Sequence, residues 1–435
     1  MTPARAGELG SVAAVIEAGA VRAVFQPLVD LETRSPVAYE ALARGPAGTR
    51  WESPAALFAA AAADGVVPEL DWACRAAAYR AAMDAGMTAG TPLFVNVEPV
   101  SLRTACPPHL QEVVDAAAER LHIVFEVTER AVAHDPAGLL AAVVRARAAT
   151  ASIALDDVGA EPASLAMMPF VDPDVIKLDL RLIQERTSPE VAGIVTAVLA
   201  HAERTGARIL AEGIEQPRHI DIARTLGATL GQGFLFGRPG PLPRTPEGTP
   251  DAAFRRRPTW DVEPEDTPFS VVALRRPTIR ATKELLLPLS RHLEQRGQAA
   301  EPGVLLGCFQ HVRHFTPATR LRYEELARTT VLTAALGVDM PAHPAAGVRG
   351  GRLVADDPLR GEWNVIVVGP QFASALVARD LGDDGPDRQR RFDAVITHDR
   401  ELVIKAALTL VSRVLALPAT GTSGAGTPLL VSTAH

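Results

Sequence analysis

The chain has 435 residues, of which 47% are hydrophobic and 22% charged, and its formal net charge is −7. This composition is too apolar for a disordered protein, and the length predicts about two to three domains. The negative charge argues against a duplex nucleic-acid partner. Three scattered cysteines do not suggest a disulfide framework, and from the residue pattern we expect neither a signal peptide nor a segment that spans a bilayer. We therefore expect a cytoplasmic protein with no membrane partner.

Short apolar runs alternate with Ala-rich helical segments from Val21 to Leu235. The predicted strands are VRAVFQPLV, VAYEAL, PLFVNV, IVFEV, SIALD, VIKLD, RILAE and ATLGQG, and the predicted helices cover residues 69–85, 107–120, 136–148, 189–204 and 217–226. This alternation indicates βα units in an α/β fold, and their number favours a closed, TIM-like (β/α)8 barrel. The first two runs flank a turn at residues 33–36, which predicts an antiparallel first strand pair.

The remaining chain divides by composition. An N-terminal segment (residues 1–20) precedes the barrel (21–243), and a Pro-rich linker (244–268) with the solvated triplet Arg255–Arg257 follows it. A second, smaller α/β domain is predicted over residues 269–417. Its expected strands are FSVVAL, GVLLGCF, WNVIVVG and FDAVITH, and its clearest helices are residues 318–336 and 399–415. The Gly/Ser/Thr-rich tail (418–435) is expected to be disordered.

Polar side chains recur at the ends of the predicted barrel strands, where such barrels carry their reactive groups. They are Glu40, Asn96, Glu126, Asp156, Asp157, Lys177, Asp179, Glu212 and Gln232. Any one of them alone would be interpreted as a solvated residue or an ion-pair partner, but the whole set in register indicates one site. Clustered carboxylates raise each other's pKa unless a cation is present, and an all-oxygen donor set favours Mg²⁺, Mn²⁺ or Ca²⁺ over zinc.

Lysine and asparagine are rare in this chain. Only three of the 44 basic residues are lysines, and Asn96 is one of two asparagines. Lys177 is the only lysine before position 283, and arginine cannot replace lysine where a compact charge is needed. The adjacent Asp156 and Asp157 can flank two cations that activate water against a phosphate ester. The residues themselves thus indicate a metal-dependent hydrolase, most naturally of a phosphodiester, and leave the substrate open.

Seven ordered motifs carry a family resemblance over residues 21–243. They are VFQPLVDLETRSPVAYEALAR, FVNVEP, FEVTER, ALDDVG, IKLD, LAEGIE and GQGFLFGRP. In this order and at this spacing they resemble the EAL-domain cyclic di-GMP phosphodiesterases, with Glu40-Ala41-Leu42 as the signature tripeptide. The resemblance implies a cytoplasmic signalling enzyme that hydrolyses cyclic di-GMP to linear pGpG with two Mg²⁺ or Mn²⁺ ions, and it implies a homodimer.

The resemblance also assigns roles to single residues. It implies metal ligands at Glu40, Asn96, Glu126, Asp156 and, for the second metal, Asp157. It implies that Lys177 holds the catalytic water, that Glu212 belongs to the metal and water network, and that Gln232 is needed for activity. Dinucleotide contacts are implied at Gln26, Leu42 and Arg44, with Arg44 suited to clamp a phosphate. Glu129 is implied to anchor the loop after the aspartate pair.

One segment departs from the family pattern. Active members have a loop close to Phe-Gly-Thr-Gly-Tyr-Ser-Ser-Leu after the aspartates, whereas residues 158–165 read VGAEPASL. Glu161 adds a negative charge and Pro162 stiffens the backbone. This segment favours a rival hypothesis, a barrel that binds cyclic di-GMP as an inert receptor, while the complete donor set favours activity. An enolase-type lyase would need a further Lys or His base that the strand ends do not supply.

The second domain resembles the DICT sensory domain in three segments, RYEELARTTVLTAALG, GEWNVIVVGPQFASALVARDL and FDAVITHDRELV. The resemblance implies regulation of the barrel by an unidentified ligand or protein. Trp363 and Phe372 fit either the core or a ligand pocket, with core the more common outcome for aromatic residues beside strands. Cys308, His311 and His314 lack a second cluster that would complete a zinc site. The spacing in GQGFLFG does not match a dinucleotide-binding fingerprint.

Overall fold

A computed structural model describes residues 10–101, 104–128, 135–148, 151–159, 162–184, 188–244, 254, 263, 265–296 and 303–415. The predicted C-terminal tail, Glu129, Glu161 and the arginine triplet at 255–257 lie outside these residues. Within them, no helix combines the length and the apolar character that crossing a membrane requires.

Eight strands close the N-terminal barrel in chain order. They are β1 (Arg22–Asp30), β2 (Pro36–Arg44), β3 (Leu93–Asn96), β4 (Ile123–Thr128), β5 (Ser152–Val158), β6 (Val175–Leu178), β7 (Arg208–Ala211) and β8 (Leu230–Gly231). Strand β1 runs antiparallel to both β2 and β8, and the other neighbours are parallel. The Asp30 carboxylate closes the first hairpin by accepting hydrogen bonds from the backbone of Glu32 and Thr33. The predicted barrel with its antiparallel first pair is confirmed.

Helices surround the barrel. They are α1 (Val12–Glu17), α2 (Pro54–Asp64), α3 (Val67–Asp84), α4 (Gln111–Arg120), α5 (Pro136–Ala148), α6 (Pro162–Val171), α7 (Leu180–Gln184), α8 (Pro189–Thr205) and α9 (Pro217–Thr225). Helix α8 shows how the sequence sets the helix ends. The Ser188 hydroxyl accepts a hydrogen bond from the Val191 N–H, Pro189 occupies the first turn, and Gly206 ends the helix in the left-handed conformation.

One residue of the predicted linker lies in the barrel core. Phe254 is 1% exposed and packs edge-on against Phe94 of β3, with the ring centroids 5.9 Å apart. Together with the inward-facing apolar residues of the barrel strands it forms one buried cluster. The sequence analysis did not predict this contact, because a single aromatic residue in a Pro-rich segment shows no periodicity that would reveal its burial.

The second domain contains a seven-stranded mixed sheet. Its elements are α10 (Pro268–Ala273), β9 (Ile279–Thr282), α11 (Lys283–Arg296), β10 (Val304–His311), α12 (Pro317–Leu326), β11 (Leu332–Val338), β12 (Val348–Arg352), β13 (Glu362–Val368), β14 (Ala373–Asp380), β15 (Arg391–Thr397) and α13 (Arg400–Leu415). The strand order is β12-β11-β10-β13-β14-β15-β9. Helices α10 and α13 pack on the sheet, and α11 and α12 contribute to a separate core cluster.

Two secondary-structure predictions for this domain were wrong. FSVVAL is not a strand, because Thr267 and Ser270 form a capping box that starts helix α10. The helix predicted over residues 318–336 ends at Leu326, and the apolar run after it is buried strand β11, parallel to β10. A short apolar run fits either a buried strand or a buried helix, so periodicity alone does not separate the two.

The second domain packs directly on the barrel. Helix α13 contacts α5 and α6, and apolar residues of these three helices belong to one continuous buried core. An ion pair joins the domains as well, with Arg349 Nη2 of β12 lying 3.2 Å from Asp135 Oδ1 just before α5. Since α6 follows the segment after Asp156 and Asp157, the second domain contacts the helix nearest in sequence to that aspartate pair.

Candidate active site

Lys177 lies at the centre of the polar cluster in the barrel. It belongs to β6 and is 1% exposed. Its Nζ atom lies 2.6 Å from Glu126 Oε1 on β4, 2.9 Å from Asp156 Oδ1 on β5 and 2.8 Å from Glu212 Oε1, directly after β7. Glu40 Oε2 on β2 is 3.8 Å away. Carboxylates from four strands therefore converge on one buried ammonium group.

Two amide side chains organise the Glu40 side of this cluster. Asn96 Nδ2 donates to Glu40 Oε1 and to Glu126 Oε2, both at 3.1 Å. Gln232 Nε2 donates to Glu40 Oε2 at 2.5 Å and to Gln26 Oε1 at 3.3 Å. A neutral amide that donates to two carboxylates at once explains the asparagine at position 96, because an acid there would repel both of them.

The charge of the cluster perturbs its titration. Burial raises the pKa of Glu126 well above its usual value, and the nearby Glu40 raises it further. Burial also raises the pKa of Glu212 to about 8, although Lys177 opposes the shift. Burial acts to raise the pKa of Glu40 as well, but Lys177 and the Gln232 hydrogen bond outweigh it and leave this pKa lowered. The carboxylates outweigh the burial of Lys177, whose pKa lies well above its usual value. One ammonium thus does not neutralise the full set of acids.

Three of the acids lie close enough together to share a cation. Asp156, Asp157 and Glu212 each place a carboxylate oxygen within 4.8 Å of the others, and they form the one such group among the described residues. Asp157 has a φ of +58°, a left-handed conformation that is uncommon for aspartate, and Gly159 has a φ of +113°. The backbone thus bends sharply where two successive carboxylates meet Glu212. An all-oxygen set of this kind fits Mg²⁺, Mn²⁺ or Ca²⁺.

Of the other predicted site residues, Gln26 is bonded to this cluster, whereas Arg44 and Asp179 have hydrogen-bond partners outside it. Gln26 joins it through Gln232 and donates from Nε2 to the Gly237 carbonyl at 3.0 Å. Leu42 and Arg44 follow Glu40 at alternate positions of β2 and so share its side of the strand. Arg44 Nη1 donates to the Ala43 carbonyl at 2.8 Å. Asp179 accepts from the backbone and side chain of Arg181 at 2.7 and 3.0 Å, so its hydrogen bonds serve the start of α7.

A buried hydrogen-bond network between α3 and the segment after Asn96 was not predicted from the sequence. Asp71 on α3 accepts hydrogen bonds from Arg75 Nε at 2.9 Å, from the Ser101 hydroxyl at 2.5 Å and from the Glu98 N–H at 3.2 Å. The Arg75 guanidinium also stacks on the Trp72 ring, 3.7 Å from its centroid. The network fixes the segment that follows β3. The i, i+4 spacing of the Asp–Arg pair is visible in the sequence, but its burial is not.

The histidines and the cysteine considered for zinc have other partners. The buried Cys308 thiol lies 3.6 Å from the Leu359 carbonyl. His311 Nδ1 accepts from the Arg313 N–H, and His314 Nδ1 lies 3.1 Å from the Phe309 carbonyl. These three side chains are not among the grouped metal-ligating residues in the described part of the chain.

Two family models match this chain. Residues 11–239 match the EAL domain, and residues 270–381 match DICT, described as a sensory domain in diguanylate cyclases and two-component systems. The cyclic di-GMP phosphodiesterase RocR of Pseudomonas aeruginosa is 32% identical over 155 residues, or 34% of this chain. The phosphodiesterase NbdA of the same organism is 32% identical over 119 residues, or 27% of this chain. The matched segments span 39% of RocR and 15% of NbdA.

Solved structures of related proteins include BlrP1 of Klebsiella pneumoniae. Complexes of BlrP1 with cyclic di-GMP and either calcium or manganese are 29% identical to this chain with a TM-score of 0.45, and the match covers 51% of this chain and 56% of BlrP1. The EAL match alone spans more than half of the 435 residues. The protein therefore belongs to the EAL-domain family, is homologous to cyclic di-GMP phosphodiesterases, and carries a DICT sensory domain after its barrel.

Proposed function

We propose that the barrel hydrolyses cyclic di-GMP to linear pGpG with the help of two divalent cations, Mg²⁺ or Mn²⁺. The observation that carries this proposal is the convergence of Asp156, Asp157 and Glu212 within 4.8 Å of one another, beside a buried lysine. Homology to cyclic di-GMP phosphodiesterases supplies the substrate class.

The residues present fit the cations that this reaction would use. Glu40, Asn96, Glu126 and Asp156 would hold one cation, and Asp157 would hold the second together with the shared acids. Every donor in this set is an oxygen, and the excess of buried carboxylates over Lys177 would be relieved by added positive charge. Two bound cations would supply Lewis acidity, lowering the pKa of a water molecule and neutralising the phosphate.

The protein's own groups would position the water and the substrate. Lys177, held by three carboxylates at 2.6–2.9 Å, would orient the attacking water and balance the charge of the phosphate. Glu212, whose carboxylate lies 2.8 Å from Lys177 Nζ and close to Asp156 and Asp157, would accept a hydrogen bond from that water network. Gln232 would keep the Glu40 carboxylate in place through its 2.5 Å hydrogen bond.

The substrate contacts would come from the strands that border this cluster. Arg44, Leu42 and Gln26 would contact the dinucleotide, with the Arg44 guanidinium on a phosphate, where its planar fork can donate two hydrogen bonds. One phosphodiester bond would break, and the motifs offer no Ser or Cys nucleophile for a covalent intermediate. Glu129 would anchor the loop after the aspartates.

A direct assay tests this proposal. Purified full-length protein is incubated with cyclic di-GMP and Mn²⁺, and the products are separated by chromatography. The appearance of pGpG that depends on added Mn²⁺ is the expected result. Tight binding of cyclic di-GMP with no product over hours would instead support the receptor hypothesis, which the altered segment at residues 158–165 favours.

We further propose that the DICT domain regulates this site through its contact with the barrel. Helix α13 packs on α5 and α6, and α6 begins at Pro162, five residues after Asp157. A shift of the DICT domain would therefore be transmitted to the segment that carries the second-metal aspartate.

The interdomain ion pair offers a test of this coupling. We expect Arg349→Glu, which breaks the contact with Asp135, to change kcat by about two- to fivefold, the range set by the energy of a partly exposed ion pair. Arg352→Glu is the matched control, because Arg352 lies on the same strand but pairs with Asp339 inside the DICT domain. Equal effects of the two variants would contradict coupling through this contact.

A further inference from the structure

A half-open cavity lies between α11 and one end of the DICT-domain sheet. It measures about 340 Å³ and is bordered by α11, by the turn that joins β13 to β14, and by the end of β15. Positions 289, 292, 293 and 296 of α11 line it, a spacing that places them on a single face of the helix. The volume lies near the lower end of the range for small-molecule sites, about 300–1,000 Å³. We call this cavity the α11 groove.

The floor of the α11 groove is apolar and mostly aliphatic. Leu293 is 5% exposed, whereas Leu289, one turn earlier, is 43% exposed, so the apolar surface extends from the domain core to the solvent. Ile396 of β15 and Phe372 supply the opposite wall. The Arg296 guanidinium covers one face of Phe372, with its carbon 4.9 Å from the ring centroid. A flexible alkyl chain fits this surface better than a ring, which would need an open aromatic face to stack on.

The polar groups of the α11 groove are all basic. Arg296 lies at the end of α11, and the exposed His292 and His398 line the groove beside it. None of the seven lining residues that the structure describes is acidic, so no carboxylate among them competes for the Arg296 guanidinium. A guanidinium can donate two parallel hydrogen bonds to a carboxylate, and an imidazole has at least one N–H donor in either protonation state. The groove therefore combines an apolar floor with donors for one anionic head group.

The α11 groove adjoins the helix that contacts the barrel. His398 lies two residues before Arg400, where α13 begins. Arg400 Nη2 donates to the Gly369 carbonyl at 2.9 Å, and the Gly369 N–H donates to the Phe372 carbonyl at 2.7 Å. Two walls of the groove are therefore tied to the first turn of α13, which packs on α5 and α6. A ligand bound here would act on the element that joins the two domains.

We propose that the α11 groove is the ligand site of the DICT domain and that it binds a medium-chain aliphatic carboxylate. The chain lies on Leu289, Leu293 and Ile396, and the carboxylate binds Arg296 at the rim. The volume of the groove limits the chain to about six to ten carbons. The apolar floor selects the chain, and the basic rim selects the acid. The proposal does not depend on catalysis by the barrel, so it can fail while cyclic di-GMP hydrolysis is confirmed, and the reverse.

Calorimetric titration of the full-length protein tests this site, with hexanoate and octanoate as probes and 1-octanol as the uncharged control. We expect octanoate to bind about tenfold more tightly than hexanoate, because each fully buried methylene contributes roughly fourfold in affinity and the groove is half open. We expect 1-octanol to bind about tenfold more weakly than octanoate, because it lacks the charge-assisted hydrogen bonds of the acid. No binding of octanoate at millimolar concentration, equal binding of the two acids, or equal binding of 1-octanol would overturn the proposal.

Two substitutions of exposed side chains locate the bound acid. Arg296→Gln is expected to weaken octanoate binding about tenfold, and Leu289→Glu, which places a negative charge on the floor, is expected to weaken it at least as much. Arg291→Gln is the matched control with unchanged affinity, because it removes the same charge from α11 outside the groove. Since Leu289 and Arg296 are exposed, both groove variants should keep the wild-type melting temperature. Wild-type affinity in either groove variant, or an equal loss in Arg291→Gln, would contradict the assigned site.

Discussion

The sharpest test of the proposed chemistry is Lys177→Arg, which conserves charge and changes only shape. Lys177 is 1% exposed and holds three carboxylate oxygens at 2.6–2.9 Å. A guanidinium is larger and planar, so it does not place one point charge at the centre of three acids. The space around Nζ has no room for the added atoms without moving Glu126 or Asp156.

The size of the effect follows from this geometry. A positioned group that manages a proton or orients water contributes about 100- to 10,000-fold in rate, so we expect at least a 100-fold loss of kcat, or about 2.7 kcal/mol of barrier. Separately, overpacking of the buried site should lower the free energy of unfolding by about 1–3 kcal/mol. The two effects are separated by measuring pGpG formation with Mn²⁺ and urea denaturation on the same preparation.

One of the other two lysines of the chain provides a matched control. Lys405→Arg makes the same substitution on α13 in the DICT domain, and we expect wild-type turnover. If the Lys177→Arg variant kept half or more of the wild-type rate, Lys177 would have no part in orienting the water, and the proposed use of the cluster would be wrong.

Three further predictions concern other parts of the molecule. Glu40→Ala should abolish pGpG formation and lower the melting temperature while the barrel stays folded, since Lys177, Asn96 and Gln232 lose a favourable partner; a variant that retained most of its activity would exclude Glu40 as a metal ligand. Removal of divalent cations with EDTA should stop turnover, and Mn²⁺ should restore it; activity that persisted in EDTA would argue against a metal-dependent reaction. Phe254→Ala should lower the free energy of unfolding by about 3–5 kcal/mol in urea denaturation; a loss below about 1 kcal/mol would show that Phe254 does not pack in the barrel core.

The sequence predicted the barrel because its signal is local and repeated. Each strand is a short apolar run followed by a helical pattern, and parallel strands bring their carboxyl ends to one edge. For the same reason the polar residues from Glu40 to Gln232 could be assigned to one end of the barrel before any distance was known. The structure places most of these side chains in a single cluster of hydrogen bonds and ion pairs around Lys177. Asp179 is the exception, because it pairs with Arg181 at the start of α7.

Elements whose identity depends on partners elsewhere in the chain were harder to predict. The run that forms β11 is apolar throughout, and only its pairing with β10 makes it a strand. FSVVAL has the composition of a strand, yet a two-residue capping box turns it into a helix. Phe254 gave no periodic signal, because one residue that reaches back into a barrel leaves no pattern around it.

The sequence by itself determined which polar side chains lie at the carboxyl ends of the barrel strands. It also determined that no histidine or cysteine is among them, because strand order and residue type are both written in the sequence. Tertiary structure alone decided that Lys177 is buried among its carboxylates, that Asp71 and Arg75 support the segment after Asn96, and that the DICT domain packs on α6 and contains a cavity. These are distances between residues far apart in the chain, and burial changes their electrostatics in a way that no local pattern encodes.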